Sequence, residues 1–285
     1  MTLLDGKKVS EEILGKVYVE VNRMKLDHII PKLAVILVGK DPASLLYISR
    51  KQAACAKTGI EWVQFDYETD VTTETLIDKI QELNVDPTIH GILVQLPLPK
   101  QVYTPNIIKA IDPKKDVDGF TAYNLGKMFL STEFEHLVPC TPLGVIRLLE
   151  HYDIKVEGKE VVVVGHSNIV GKPLSSMFLN RNATVTTCHI FTKDLVSHTK
   201  RADILCTGVG KANLITADMV KDGAIVIDIG IVKLPNGKTV GDVDFANVSK
   251  KASYITPVPG GVGPMTVACL MENTMNAAKR INNYK

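Results

Sequence analysis

The sequence carries almost no net charge. Thirty-three lysines and arginines stand against 31 aspartates and glutamates, a formal +2 on 285 residues. No field of one sign is therefore available to gather nucleic acid or an anionic membrane surface. No apolar run approaches the ~18 residues of a membrane span. The opening Met1-Thr2-Leu3-Leu4-Asp5-Gly6-Lys7 holds no stretch suited to a signal peptide. The expectation is a soluble, cytoplasmic chain with neither nucleic acid nor membrane among its partners. Paired cysteines are also missing: Cys55, Cys140, Cys188, Cys206 and Cys269 are odd in number and none forms a CxxC. That argues against a disulfide framework and against a zinc site, so no metal is expected. What remains is ordinary globular composition, 45% hydrophobic and 22% charged. The length exceeds the ~250 residues at which single cores stop growing, which favours two domains.

The hydrophobic period of the first half predicts strand, helix, strand, helix, strand over residues 33–38, 44–58, 62–67, 72–83 and 91–96, after a leading helix at 9–26. The strands are continuously apolar, as in Ala34-Val35-Ile36-Leu37-Val38, the signature of a parallel sheet covered on both faces. Beyond 105–111 the pattern lapses into polar sequence from 112 to 140, until Thr141-Pro142 opens a new helix. The second half repeats the alternation. Strands are expected at 161–164, 184–188, 203–206, 224–229, 238–243 and 254–255, with helices at about 171–180 and 265–281. The fold class is α/β with two domains, 1–140 and 141–264, the C-terminal helix at about 265–285 joining the first. Ligands are expected beyond the carboxyl ends of the strands.

In the second half, Val161-Val162-Val163-Val164 runs into Gly165-His166-Ser167-Asn168-Ile169-Val170-Gly171-Lys172-Pro173. A glycine turn between strand and helix lets backbone amides approach a phosphate at a helix N-terminus. It is a spaced-out relative of the dinucleotide fingerprint, with Ser167 in place of the second glycine; turns of this kind also serve geometry alone. The next strand ends in Cys188-His189-Ile190, without the acid that grips the ribose diol of NAD.

On the 44–58 helix, Ser44, Tyr47 and Lys51 share one face, and Leu45, Ile48 and Cys55 another. Lys51 is either a solvated lysine or a site residue. Gln95 interrupts an apolar run at the end of a strand, where a buried amide must find partners. Pro97 and Pro99 then stop the strand. Asp116 and Asp118 could each be a turn former. The loop Pro257-Val258-Pro259-Gly260-Gly261-Val262-Gly263-Pro264 is stiff yet lets backbone approach a ligand, or is a plain bend between domains.

Together, Tyr47-Ile48-Ser49-Arg50-Lys51, Gly91-Ile92-Leu93-Val94-Gln95-Leu96-Pro97-Leu98-Pro99, Lys115-Asp116-Val117-Asp118-Gly119-Phe120, Gly165 to Gly171 and Pro257 to Thr266 resemble the bifunctional methylenetetrahydrofolate dehydrogenase/methenyltetrahydrofolate cyclohydrolase family, collinearly along the chain. The resemblance implies an N-terminal three-layer α/β catalytic domain, a Rossmann-like NAD(P)-binding domain and an active-site cleft between them. It also implies two reactions: oxidation of 5,10-methylenetetrahydrofolate to the methenyl compound with NADP, then hydrolysis to 10-formyltetrahydrofolate.

By the same resemblance Lys51 is the general acid/base, Gln95 holds its amine, Tyr47 orients the folate and Asp118 pairs with the N–H edge of the pterin. Ser44, Val94, Leu96, Pro97, Pro259, Gly260, Gly261 and Pro264 join Tyr47 and Asp118 in contacting substrate. Gly165, His166, Ser167, Asn168, Ile169, Val170, Gly171, Pro173, His189, Ile190 and Ile231 contact the cofactor, NADP, with NAD the alternative. The family is typically homodimeric. Two departures are visible: Thr121-Ala122 stands where bacterial relatives often carry His-Pro, and Ile190 where relatives place Arg or Ser against the ribose phosphate of NADP. The alternative function is an NAD-dependent methylenetetrahydrofolate dehydrogenase with weak or no cyclohydrolase activity. Other readings are a dehydrogenase of another small substrate and a nucleotide-sensing binding protein. Neither requires Lys51, Gln95 and Asp118 together.

Overall fold

The computed structural model describes residues 1–284. The chain forms two compact units. One comprises Glu11–Lys127, Glu135–Cys140 and the residues from Val267 onward; the other comprises Met1–Ser10, Met128–Phe134 and Thr141–Thr266.

In the first unit three parallel strands lie in the order Glu61–Tyr67, Lys32–Val38, Gly91–Val94. Every residue from Leu33 to Val38 in the central strand is buried, which accounts for its unbroken apolar sequence. The Pro42–Thr58 helix is defined at both ends. The Asp41 carboxylate accepts from Ser44 N at 2.8 Å, Pro42 opens the first turn, and Gly59 closes it in the left-handed region at φ 74°. Thr72 Oγ1 caps the Thr73–Val85 helix, which turns Leu76, Ile80 and Leu83, spaced at i, i+4 and i+7, into the core with Ala34, Ile36 and Ile92. The Gly91–Val94 strand is two residues shorter than expected. Gln95 N still donates to Ile36 O at 2.9 Å, but Pro97 has no N–H with which to continue the ladder.

Residues 112–140 differ from expectation. They hold a helix at Ala122–Leu130 and a 3₁₀ turn at Thr132–Phe134. Thr121 explains the helix: Asn124 N donates to its hydroxyl at 3.4 Å, an N-cap that the short, polar, glycine-containing segment hid from a search for period.

The second unit is built on a six-stranded sheet. Its order is Thr2–Leu3, Tyr254–Ile255, Ile225–Asp228, Ile204–Thr207, Glu160–Val164, Thr184–Cys188, and every pair is parallel. Residues 1–10 lie here rather than in the first unit, because Thr2 and Leu3 add an edge strand and Lys7 N donates to Gly260 O at 2.9 Å. The strand expected at 238–243 shrinks to Thr239–Val240, paired with Val232–Lys233 in a hairpin. It ends where Asp242 N turns to the Asp228 carboxylate at 3.0 Å. Among the described residues no helix is long and apolar enough to cross a membrane.

The C-terminal helix runs from Val262 to Ile281. Within the first unit its Met271 Sδ lies 3.4 Å from Cys55 Sγ, and Lys279 pairs with Glu20. Asn273, fully buried, donates from one amide nitrogen to Val117 O at 2.8 Å and Val138 O at 3.0 Å, tying down the backbone just before Asp118. Replacing Asn273 with Ala strips a donor from two buried carbonyls and should cost about 2–4 kcal/mol. Urea unfolding measures this, and a midpoint equal to that of the parent chain would contradict it.

Candidate active site

The carboxyl edge of the three-stranded sheet collects the polar groups of the first unit. Lys51 projects from the third turn of the Pro42–Thr58 helix and is 9% exposed. Its Nζ donates to Gln95 Oε1 at 2.9 Å, while Gln95 Nε2 donates to Leu96 O at 2.7 Å. Both ends of the Gln95 amide are thereby satisfied, its orientation is fixed, and the oxygen faces the amine. Asp118 is half-buried, and its carboxyl is held above the usual range. Burial is the main cause; the Lys51 charge opposes it and the neighbouring Asp116 charge adds to it. Burial likewise raises the Tyr47 hydroxyl, against the pull of Arg50.

The two acids of the Lys115–Phe120 segment have different tasks. Asp116 accepts from Phe120 N at 3.1 Å, Thr121 N at 2.8 Å and Asn124 Nδ2 at 2.9 Å, which is turn building. Asp118 makes no such set of turn contacts and, with Asp116, Val94, Leu96 and Phe120, lines a small recess. Lys115 is also buried, yet its ammonium is spent on Leu83 O at 2.8 Å and Asp86 O at 2.7 Å. The structure thus brings Lys51, Gln95 and Asp118 together, with Val94 and Leu96 beside Asp118. Ser44 is buried in the first turn of the Lys51 helix, Tyr47 is half-buried on it, and Pro97 is exposed. Pro259, Gly260, Gly261 and Pro264 belong to the other unit. The sequence reading passed over Cys140. This buried thiol is pushed well above its usual pKa by burial first and then by the Asp118 carboxylate, and no spacing marks it.

In the second unit the register sets strand ends level: Val164 pairs with Cys188 and with Thr207, and Thr207 with Asp228. From Glu160–Val164 the chain passes outward to Thr184–Cys188, then crosses to Ile204–Thr207 on the other side. The loops after the first and third of these strands diverge, and such a switch point is where open α/β sheets bind nucleotides. Gly165 lies there at φ 120°, a conformation closed to other residues. A Cβ at Gly171 would run into the Gly165 carbonyl. Ser167 Oγ accepts from Val170 N at 3.2 Å and Gly171 N at 3.4 Å, standing in for the missing glycine by bracing the turn.

His166, on the turn, and His189, at the end of the next strand, have ring centroids 4.8 Å apart. His189 Nδ1 accepts from Phe191 N at 3.2 Å, which leaves Nε2 as its N–H donor. Asn168, Ile169, Ile190 and Ile231 are exposed around this edge, Val170 is half-buried and Pro173 is buried. The tight glycine turn, two imidazoles and the absence of a carboxylate at the end of the Thr184–Cys188 strand fit a phosphorylated dinucleotide such as NADP.

Residues 4–118 match the profile of the tetrahydrofolate dehydrogenase/cyclohydrolase catalytic domain, and residues 139–282 that of the NAD(P)-binding domain. The chain belongs to the tetrahydrofolate dehydrogenase/cyclohydrolase family. Among its relatives, the bifunctional protein FolD of Nautilia profundicola is 58% identical over 279 residues, 98% of each chain. The bifunctional FolD crystal structure from Campylobacter jejuni is 50% identical and superposes with a TM-score of 0.97, covering 98% of this chain and 99% of that one. The Trypanosoma brucei dehydrogenase-cyclohydrolase, solved with NADP and an inhibitor, is 34% identical with a TM-score of 0.94 over 98% of both chains.

The family's NAD(P)-binding unit contains here a buried acid with a measurable signature. Asp228 is 4% exposed and its carboxyl is pushed up to about 6. Burial is the leading cause, opposed by the N–H groups of Asp242, Val243 and Gly230 and reinforced by the Asp242 charge. The folded pKa lies above the unfolded one, so the folded state holds the proton more tightly. The stability this contributes is complete below about pH 4 and lost as pH rises through about 6. A shift of roughly 2 units corresponds to about 3 kcal/mol. Asp228→Asn removes this dependence, so the stability of the variant relative to the parent should rise by about that amount between pH 4 and 7. Urea unfolding across the range tests it; curves that run parallel would contradict the assignment.

Proposed function

We infer that the chain oxidises 5,10-methylenetetrahydrofolate to 5,10-methenyltetrahydrofolate with NADP and hydrolyses the product to 10-formyltetrahydrofolate. The observation that carries this is Lys51, a residue 9% exposed whose amine is held at 2.9 Å by an oriented Gln95 and close enough to Asp118 to act on its charge. An NAD-dependent dehydrogenase without hydrolysis has no use for that arrangement, and the bifunctional description of the relatives does not favour it.

NADP, when bound, supplies the hydride acceptor; Gly165, His166, Ser167, Gly171 and His189 are the residues that would hold it. In the hydrolytic step water adds to the methenyl carbon. Lys51 takes one proton of the attacking water and returns it to the ring nitrogen as that carbon–nitrogen bond breaks; the remaining hydroxyl proton leaves to solvent as the carbonyl forms, so the cationic methenyl compound and water give the formyl group on the other nitrogen and one released proton. Gln95 keeps the amine aimed at the reacting carbon. Asp118 faces the adjacent N–H donors of the pterin, and Tyr47 packs on the ring. The formal net charge of only +2 supports a small-molecule substrate rather than nucleic acid or membrane as partner. Cytoplasmic location and a homodimer complete the reading.

Mixing the protein with methylenetetrahydrofolate and NADP should make methenyl absorbance rise and then decay. Absence of the rise, or an intermediate that decays no faster than without protein, would overturn the reading. Asp118→Ala should weaken folate use in both activities by about 30- to 1000-fold, the equivalent of about 2–4 kcal/mol for a charge-assisted pair. Unchanged folate affinity would reassign Asp118 to shaping its loop.

A further inference from the structure

Two loops leave the carboxyl edge of the six-stranded sheet at residues 208–211 and 229–231, and two buried carboxylates hold them. Asp242 has no exposed surface. It accepts from Val209 N at 2.6 Å, Lys211 N at 2.8 Å and Thr207 Oγ1 at 3.1 Å. Asp228 accepts from Gly230 N at 3.0 Å, Asp242 N at 3.0 Å and Val243 N at 2.9 Å. Five of these six donors are backbone N–H groups.

The arrangement is sequential. Asp228 grips its own loop and the segment that carries Asp242; Asp242 then grips the loop beside the glycine turn. That loop abuts the turn directly, with Gly208 O 2.9 Å from where a Cβ on Gly165 would stand. The two acids fit because the chain lacks side chains where they lie: a Cβ at Gly241 would overlap the Asp228 carboxylate, and one at Gly230 the Asp242 carboxylate. Burying two like charges is costly, and Asp228 pays in stability, as its raised pKa records. The cost falls beside the loop that follows Thr207, one of the two strand ends at the switch point, which Asp242 holds.

We propose that Asp228 and Asp242 are a positioning pair for the dinucleotide site, fixing residues 208–211 and 229–231 in the conformation that accepts NADP and setting its affinity without touching it. The proposal rests on the reading of this unit as the NADP-binding one. Asp242→Asn replaces an acceptor oxygen with a donor that faces backbone N–H groups. Thr207→Val is gentler, removing one hydroxyl donor and leaving the carboxylate with its two amides.

The test is calorimetric titration of the full-length chain with NADP, beside hydrolysis of methenyltetrahydrofolate in the absence of any nicotinamide. Asp242→Asn should weaken NADP binding at least tenfold and Thr207→Val about threefold, with hydrolysis within twofold of the parent and faster amide exchange at Val209 and Lys211. NADP affinity unchanged within twofold in both variants would overturn the proposal. So would parallel loss of hydrolysis and binding in both, which would make the pair a folding element only. A parent chain that hydrolyses the methenyl compound but does not bind NADP would refute the cofactor reading instead.

Discussion

Parallel pairing is the constraint on which the rest of the molecule depends. In both principal sheets every strand pair runs parallel, so all carboxyl ends emerge on one edge and every return must be made by a crossover. Strands such as Lys32–Val38 and Glu160–Val164 are apolar almost throughout because helices cover them. Polar groups therefore have one economical place to gather. In the first unit that edge presents Gln95 to Lys51; in the second it presents the Gly165 turn, His189 and the carboxylate-held loops.

Within that frame, residue type alone does not decide role. Lys51 and Lys115 are both buried lysines, yet Lys115 is committed to two main-chain carbonyls and Lys51 to the side chain of an oriented amide. Asp116 and Asp118 are two residues apart. The first has three N–H partners and builds the turn; the second is raised in pKa by burial, a carboxyl only partly compensated by a nearby cation. An incompletely satisfied acid beside an oriented amine is the state from which substrate contacts are made.

Much of this was legible in the sequence. Continuous apolar runs placed the inner strands within a residue or two, and Thr184–Cys188 and Tyr254–Ile255 stand where the period put them. The glycine turn declared its strand–turn–helix context. The Ala122–Leu130 helix was hidden because its signal is one capping threonine ahead of nine residues. The Thr2–Leu3 edge strand was hidden because two residues carry no period and their partner lies some 250 positions away along the chain. The partnerships of Asp228, Asp242 and Asn273 are long-range and made largely to main chain, which leaves no pattern in side-chain spacing. Thr121-Ala122, a departure from the bacterial pattern, proves to be a helix cap that also donates its N–H to Asp116. The substrate was never in the period: it came from the motifs, and family membership now supplies it.

The central claim is that the Lys51 amine performs the hydrolysis and nothing else in the chemistry. The most direct measurement follows the decay of methenyltetrahydrofolate absorbance on Lys51→Met, alongside reduction of NADP by methylenetetrahydrofolate with the same protein. The methionine keeps the apolar stem and deletes the amine, so hydrolysis should fall by about 100- to 10,000-fold while NADP reduction persists and methenyl product accumulates. Clearance of the methenyl compound at the parent rate would show that Lys51 is only a buried helix lysine and would contradict the account.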